Sequence, residues 1–332
     1  MPRLGFFFWP YTPEYTVRMA RLGEDLGFDL IGIADTPGNA MDPWVAMTLA
    51  ATATSRIRLA TCVTNLVTRH PSITASAAGS VDLASGGRSI LGVGAGHSGV
   101  ANVGAAPAGV SALREGITFL RSALRGEPAS WQGAAARLPW VRRHVPVYGA
   151  ASGPAALRMV GGAADGAFVN YGLQPEHVSR VEALIGEGAR EAERSPKEVD
   201  LWYVACLDVS EQRETAFEKL GNILGFVAAY ILGRDPAGRG VPPELVPAVR
   251  QLCATYTTKQ RAMDPTLVKR LGLFDYLRGR LAVAGTPADC VEQTKAAIAA
   301  GARQLMFTVS LAADPQRTVE LFGREVLPAL RR

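Results

Sequence analysis

Val145-Pro146-Val147-Tyr148-Gly149-Ala150 runs through Ala151-Ser152-Gly153-Pro154 into a segment of helical spacing, residues 155–164, and then into Gly166-Ala167-Phe168-Val169-Asn170. The outer two pieces are short and apolar, as buried strands are, and the middle piece repeats its apolar positions at helical period. Pro154 stands at the first helical position, where its missing N–H costs nothing and its φ is already set. Strand, helix and strand in such close succession make one βα unit of a parallel sheet. The same alternation extends along the chain. Strand-like runs occupy residues 4–8, 30–34, 57–63, 89–93, 145–150, 166–170, 201–207 and 304–309. Helical spacing occupies 14–26, 44–54, 73–83, 109–125, 155–164, 177–192, 289–300 and 315–330. Eight strands, each with a helical partner, predict an α/β fold, the (β/α)8 or TIM barrel.

Two connections are too long for simple barrel loops, about 126–144 and 208–285. The rest of the chain, 1–332, reads as a single barrel domain carrying them as insertions. The second, between the seventh strand and its helix, is predicted to hold two or three helices and to serve as a substrate lid or a dimer surface. Its most apolar part, residues 220–232, is shorter than the roughly 20 residues of a membrane span. It is expected as a buried or interface helix.

Of 332 residues, 48% are apolar and 20% charged, the composition of a folded soluble protein. The 35 basic and 30 acidic residues leave +5, scattered without a basic run, so neither nucleic acid nor membrane is an expected partner. Cys62, Cys206, Cys253 and Cys290 form no C-x-x-C pair, which predicts no metal site and no disulfide framework. With an N-terminal segment that lacks a signal-peptide core, the expected location is cytoplasmic.

Barrels work at the carboxyl ends of their strands. Asp35 and Thr36 follow the second strand, Thr64 and Asn65 the third, Gly94-Ala95-Gly96-His97-Ser98 the fourth, Ser152-Gly153-Pro154 the fifth and Tyr171 the sixth. No Lys closes a strand, so Schiff-base chemistry is not indicated. His70, His97, His144 and His177 show no metal-ligand spacing, and paired strand-end carboxylates are missing. A site this poor in acids, bases and metal ligands points to a bound cofactor for the hard chemistry. Ala151-Ser152-Gly153-Pro154, ending a strand and opening a helix with small residues, is a candidate phosphate seat. Trp9, Trp44 and Tyr171 lie near strand ends and are candidate walls of an apolar substrate pocket, although packing accounts for Trp44 equally well.

Thr64-Asn65, Thr68-Arg69-His70-Pro71, Ser85-Gly86-Gly87-Arg88, Leu91-Gly92-Val93-Gly94-Ala95-Gly96, Ala151-Ser152-Gly153-Pro154, Ala164-Asp165-Gly166 and Gly285-Thr286-Pro287 together resemble the bacterial-luciferase-like superfamily. Within it the chain resembles most the methylenetetrahydromethanopterin reductases, which use the deazaflavin coenzyme F420. The resemblance implies a flavin-type ring across the strand ends, bordered by Asn65, Gly94 and Gly96. It implies a phosphate at Ala151, Ser152, Gly153 and Pro154 and at Gly166 and Ala167. It also implies a bulge at Cys62-Val63-Thr64 with a non-prolyl cis peptide between Cys62 and Val63. The thiol of Cys62 then reads as a small buried group. His70, before Pro71 at a helix start, reads as structural.

By the same resemblance, Asp35 occupies a family position, but the His that often follows it is Thr36 here. His97 falls where the reductases commonly carry Asp. It is a candidate proton donor or ring contact, or else a residue bonded to a neighbouring loop. Three functions follow. The first is an F420-dependent oxidoreductase moving a hydride to or from a small activated alkene, imine or carbonyl, with His97 and Asp35 as catalytic candidates. The second is an FMN-dependent luciferase-type monooxygenase fed by a partner reductase. The third is a non-catalytic flavin-binding barrel. Arg residues at the mouth would favour the longer F420, and the family implies a homodimer through outer helices.

Overall fold

In the computed structural model, which describes residues 1–233, 235–257 and 264–331, eight parallel strands close into a barrel. They are Arg3–Phe8, Leu30–Ile33, Arg58–Thr61, Ser89–Gly94, Val147–Ala151, Gly166–Val169, Asp200–Val209 and Gln304–Thr308, neighbours in space in their order along the chain. Closure sets Arg3 beside Gln304 and Phe7 beside Thr308. This is the (β/α)8 architecture that the alternation predicts.

Four local departures have physical reasons. The predicted strand 57–63 is broken by a cis peptide at Cys62-Val63, and the chain resumes as Thr64–Asn65 paired to the outer end of Ser89–Gly94. A further strand, Ala282–Gly285, pairs with the last residues of Asp200–Val209. With four residues directly after helix Phe274–Leu281, it is too short for a periodicity of its own. The segment 126–144 contains an antiparallel hairpin, Ala129–Trp131 with Ala134–Ala136, turning at Gln132 and Gly133 with φ of 50° and 82°. The C-terminal helix opens into a π turn at Phe322–Val326, because Pro328 has no N–H to donate and crowds the preceding turn.

The long insertion holds more helix than predicted. Arg213–Glu218, Leu220–Leu232, Val246–Thr255, Leu267–Arg270 and Phe274–Leu281 replace the expected two or three helices, Leu267–Arg270 being a single turn. Residues 213–232 together make a stretch long and apolar enough to cross a membrane, longer than the segment 220–232 considered alone; over its most apolar 18 residues, 56% are buried inside the fold. Its inner face packs with Trp9, Leu252, Val268 and Leu277.

Side chains fill the barrel itself: Ile90, Tyr148, Phe168, Trp202 and Met306 pack in its interior. Gly32 has no room for more, since a Cβ there would lie 2.5 Å from that of Phe7 and 2.7 Å from that of Cys62. The Ser85-Gly86-Gly87-Arg88 motif closes the helix Pro71–Ser85 with Gly86 at φ 72°. Arg88 then donates to the carbonyls of Ser85, Ala51, Thr54 and Ile57 at 2.7–3.0 Å, tying two helices to the barrel floor. His70 caps the same helix, its Nδ1 accepting from the Ser72 N–H.

Candidate active site

All eight strands deliver residues to one cleft at their carboxyl ends, about 1080 Å³ including its solvent-open mouth. Phe7 and Trp9 come from the first strand, Asp35 and Thr36 follow the second, and Cys62, Val63 and Asn65 follow the third. Gly94, Gly96 and His97 come from the fourth, Ala151 and Ser152 from the fifth, and Asn170 from the sixth. Val204, Thr308, Ser310 and Leu311 complete the ring of strands. Helix Leu220–Leu232 covers it with Ile223, Phe226, Val227 and Tyr230.

A second cavity adjoins the first, the two sharing Gly96, His97, Ala150, Ser152 and Tyr230. It reaches Gly153, Pro154, Ala155 and Ala156 at the start of helix Pro154–Ala163, whose N-cap Gly153 offers no side-chain acceptor to the first-turn N–H groups. Arg239 stands over this point. Its Nη1 donates to the carbonyl of Ser152 at 2.6 Å and to the Ser152 hydroxyl at 3.2 Å, and it also donates to the carbonyl of Ile231. A Cβ at Gly153 would come within 2.7 Å of the guanidinium, so glycine is what allows the approach. Unbonded amides and a cation at one helix start make an anion seat.

Asp35 is 8% exposed and accepts a hydrogen bond on Oδ2 from the Thr64 hydroxyl at 2.7 Å. Burial raises its carboxyl above the ordinary range, with the Thr64 bond and the Arg69 charge opposing. Thr64 therefore stands behind Asp35, bonded to it and off the cleft lining. His97 packs its ring against Tyr230, Phe226 and Tyr256 at 4.6, 5.6 and 6.2 Å between centroids. Burial pushes its pKa down to about 4, so the imidazole is neutral at pH 7. The Cys62 thiol is buried and pushed up, a packing group at the cleft edge.

Three sequence expectations need correction. Gly166 and Ala167 begin their strand, paired with Tyr148 and Gly149, so they lie toward the amino end of the barrel and away from the Ser152 seat. Trp44 packs in the shell between barrel and helices, because the first turn of helix Pro43–Ala53, capped by Asp42, turns inward there. Tyr171 leaves the cleft to cover Arg280, whose guanidinium lies 5.3 Å from its ring centroid and whose Nε donates to its carbonyl at 2.9 Å. Sequence reasoning missed Arg239, Phe226, Tyr230, Asn170 and Ser310. For Arg239 the available signal was the Gly- and Pro-rich stretch after residue 233, which marks a loop without saying what it touches.

The chain is 28% identical to a 5,10-methylenetetrahydromethanopterin reductase of Methanolobus tindarius, over 97% of this chain and 99% of that one. It is 26% identical to an F420-dependent glucose-6-phosphate dehydrogenase of Rhodococcus erythropolis, over 97% of this chain and 95% of the other. The solved structure of the coenzyme F420-dependent tetrahydromethanopterin reductase from Methanopyrus kandleri superposes with a TM-score of 0.80 at 26% identity, covering 99% of each chain. A family model described as luciferase-like monooxygenase matches residues 9–304, and with the barrel and its strand-end cleft already in place, the chain belongs to the luciferase-like family.

Proposed function

We propose that the protein is an F420-dependent oxidoreductase that moves a hydride between the deazaflavin coenzyme and a small organic substrate bearing an activated alkene, imine or carbonyl. The join between the two cavities carries this reading. A cleft of ring-system size meets, at His97, Tyr230 and Ser152, a seat built from a helix start and a guanidinium. One elongated ligand with a ring at one end and a phosphate further on would span the two. The coenzyme F420 on which the Rhodococcus erythropolis dehydrogenase and the Methanopyrus kandleri reductase depend supports the same cofactor here.

Arg239, Ser152 and the amides after Pro154 hold the phosphate in this reading, while Cys62, Val63, Asn65, Gly94 and Gly96 border the ring. When bound, the deazaflavin supplies hydride chemistry at carbon, which leaves alignment and one proton to the protein. Asp35 is the group suited to hold that proton: Thr64 occupies Oδ2, leaving Oδ1 for it. His97, neutral among aromatic rings, walls the ring site, and the acid role considered for it passes to Asp35.

The family description favours a second reading, an FMN-dependent monooxygenase supplied with reduced FMN by a partner reductase. Parallel titration of the protein with F420 and FMN, followed by fluorescence quenching, separates the two. Micromolar or tighter F420 binding with weaker FMN binding is expected. Preferential FMN binding with oxygen consumption would overturn the reading, and binding of neither would overturn both cofactor readings.

A further inference from the structure

We propose that the cleft selects an uncharged, largely apolar molecule, such as a conjugated ketone, and rejects phosphorylated or carboxylate substrates. The word substrate rests on the oxidoreductase reading above; the binding preference stands on the lining alone.

The side of the cleft facing the Cys62-Val63 edge is apolar. Trp9, Ile223, Phe226, Val227 and Leu311 form it, with Trp9 and Phe226 meeting edge to face at 5.8 Å. Among the described residues, the carboxyl lining this cleft is that of Asp35, and no Lys or Arg joins it. Arg239 belongs to the neighbouring cavity and is engaged there with Ser152 and Ile231. An anion brought into the inner cleft would lose its water, meet no countercharge and approach a carboxyl group.

Neutral polar groups fare differently. Asn170 Oδ1 and Ser310 Oγ are buried, belong to cleft-lining residues and have no hydrogen-bond partner. Buried polar atoms of this kind ordinarily find one. Asn170 Oδ1 can accept a hydrogen bond from a neutral hydroxyl or amide N–H, Ser310 Oγ can donate one to a neutral carbonyl, and neither carries charge to neutralise an anion. The lining therefore pairs an apolar wall with two uncharged hydrogen-bonding positions, the pattern of a site that orients a neutral molecule by one polar handle.

The test uses three probes on the full-length protein, with and without F420, by saturation-transfer NMR titration at pH 7.5. They are benzylideneacetone, a neutral enone; trans-cinnamate, its near-isosteric anion; and glucose 6-phosphate. Expected is saturable enone binding at least tenfold tighter than cinnamate, with no saturable binding of the sugar phosphate. Val227→Lys, which places a cation in the apolar wall, is expected to reverse the order of enone and cinnamate. Phe226→Ala, which removes part of the apolar wall, is expected to weaken the enone about tenfold, and serves should the lysine variant fail to fold. Cinnamate or glucose 6-phosphate binding as tightly as the enone would overturn the proposal, as would an unchanged order in Val227→Lys or an undiminished enone affinity in Phe226→Ala. Failure to bind F420 with the probe order intact would overturn the cofactor reading alone; F420 binding with the probe order reversed would overturn this one alone.

Discussion

Arg280 donates through Nη2 to the backbone carbonyl of Arg239 at 2.6 Å, so one buried guanidinium holds the residue whose own guanidinium caps the Ser152 seat. Arg280 is 1% exposed and spends its other donors on the Tyr171 and Gly240 carbonyls and the Tyr276 hydroxyl. The loop carrying Arg239 is thereby fixed to the end of the sixth strand. Among the described residues the hydrogen-bond partners of Arg280 are neutral, so its charge adds to a positive potential at this corner, which suits an anion.

From that arrangement, Arg239→Ala is expected to weaken F420 binding about tenfold or more, the usual worth of a charge-assisted hydrogen bond. Binding of the deazaflavin chromophore without its phosphate should change less than about twofold. Arg280→Met should show the same selective loss, since its effect reaches the ligand through Arg239. Fluorescence quenching with both ligands reads the difference, and an equal loss for both would mean that the two arginines act only on the fold.

Asp35→Asn keeps the shape of the carboxyl group and removes its proton. If Asp35 supplies the proton, kcat falls by about 10²–10⁴ while the F420 dissociation constant moves less than about twofold. The Thr64 hydroxyl lowers the carboxyl pKa that burial raises, so Thr64→Val should move the basic limb of the wild-type pH–rate profile upward. A profile that does not respond to Thr64→Val would remove Asp35 from the acid role.

Two buried groups pull stability in opposite directions over the same pH window. His97 titrates near its ordinary 6.5 when unfolded and at about 4 when folded, so its contribution is present above about 6.5 and is lost as pH falls toward 4. Asp208, pushed up to about 7 by burial against the hydrogen bonds of Ala313 and Thr318, behaves oppositely. Its contribution is present below about 4 and is lost as pH rises through 7. Urea unfolding from pH 4 to 8 should therefore show His97→Phe gaining on wild type as pH falls. Asp208→Asn should gain on wild type as pH rises. Parallel profiles for all three proteins would contradict both assignments.

Arg88→Leu should cost about 2–4 kcal/mol of unfolding free energy, because carbonyls of Ala51, Thr54, Ile57 and Ser85 lose their donor together. Urea denaturation measures it. A loss below 0.5 kcal/mol, the ordinary range of a surface substitution, would show that water replaces the guanidinium without cost.

Much of the site was legible from chain order. Asp35, Asn65, Gly96 and Ser152 directly follow short apolar runs, and in a closed parallel barrel every such position faces the same end. The same rule explains the error at Gly166 and Ala167. They open their strand, and the residue that reaches the cleft is Asn170, at the other end of the run. Trp44 and Tyr171 are near the right end of the barrel, but proximity along the chain does not say which way a side chain turns. A helix first turn buried Trp44, and a guanidinium took the face of Tyr171.

By itself the sequence determined the barrel, its eight strands and the helix start at Pro154, and family resemblance added the cis peptide at Cys62-Val63. The barrel, its strands and the helix start rest on local pattern: alternation of apolar runs, a Pro at a helix start, glycines where the backbone must pass closely. Only the tertiary structure decided that Arg239 reaches Ser152 across 87 positions of chain, that Arg280 anchors it, and that Phe226 and Val227 cover the cleft. The insertion carrying these residues has no period that relates it to the strands. Its position follows from packing the Leu220–Leu232 helix against Trp9 and the surrounding apolar cluster, and such non-local packing leaves no trace in neighbouring residues.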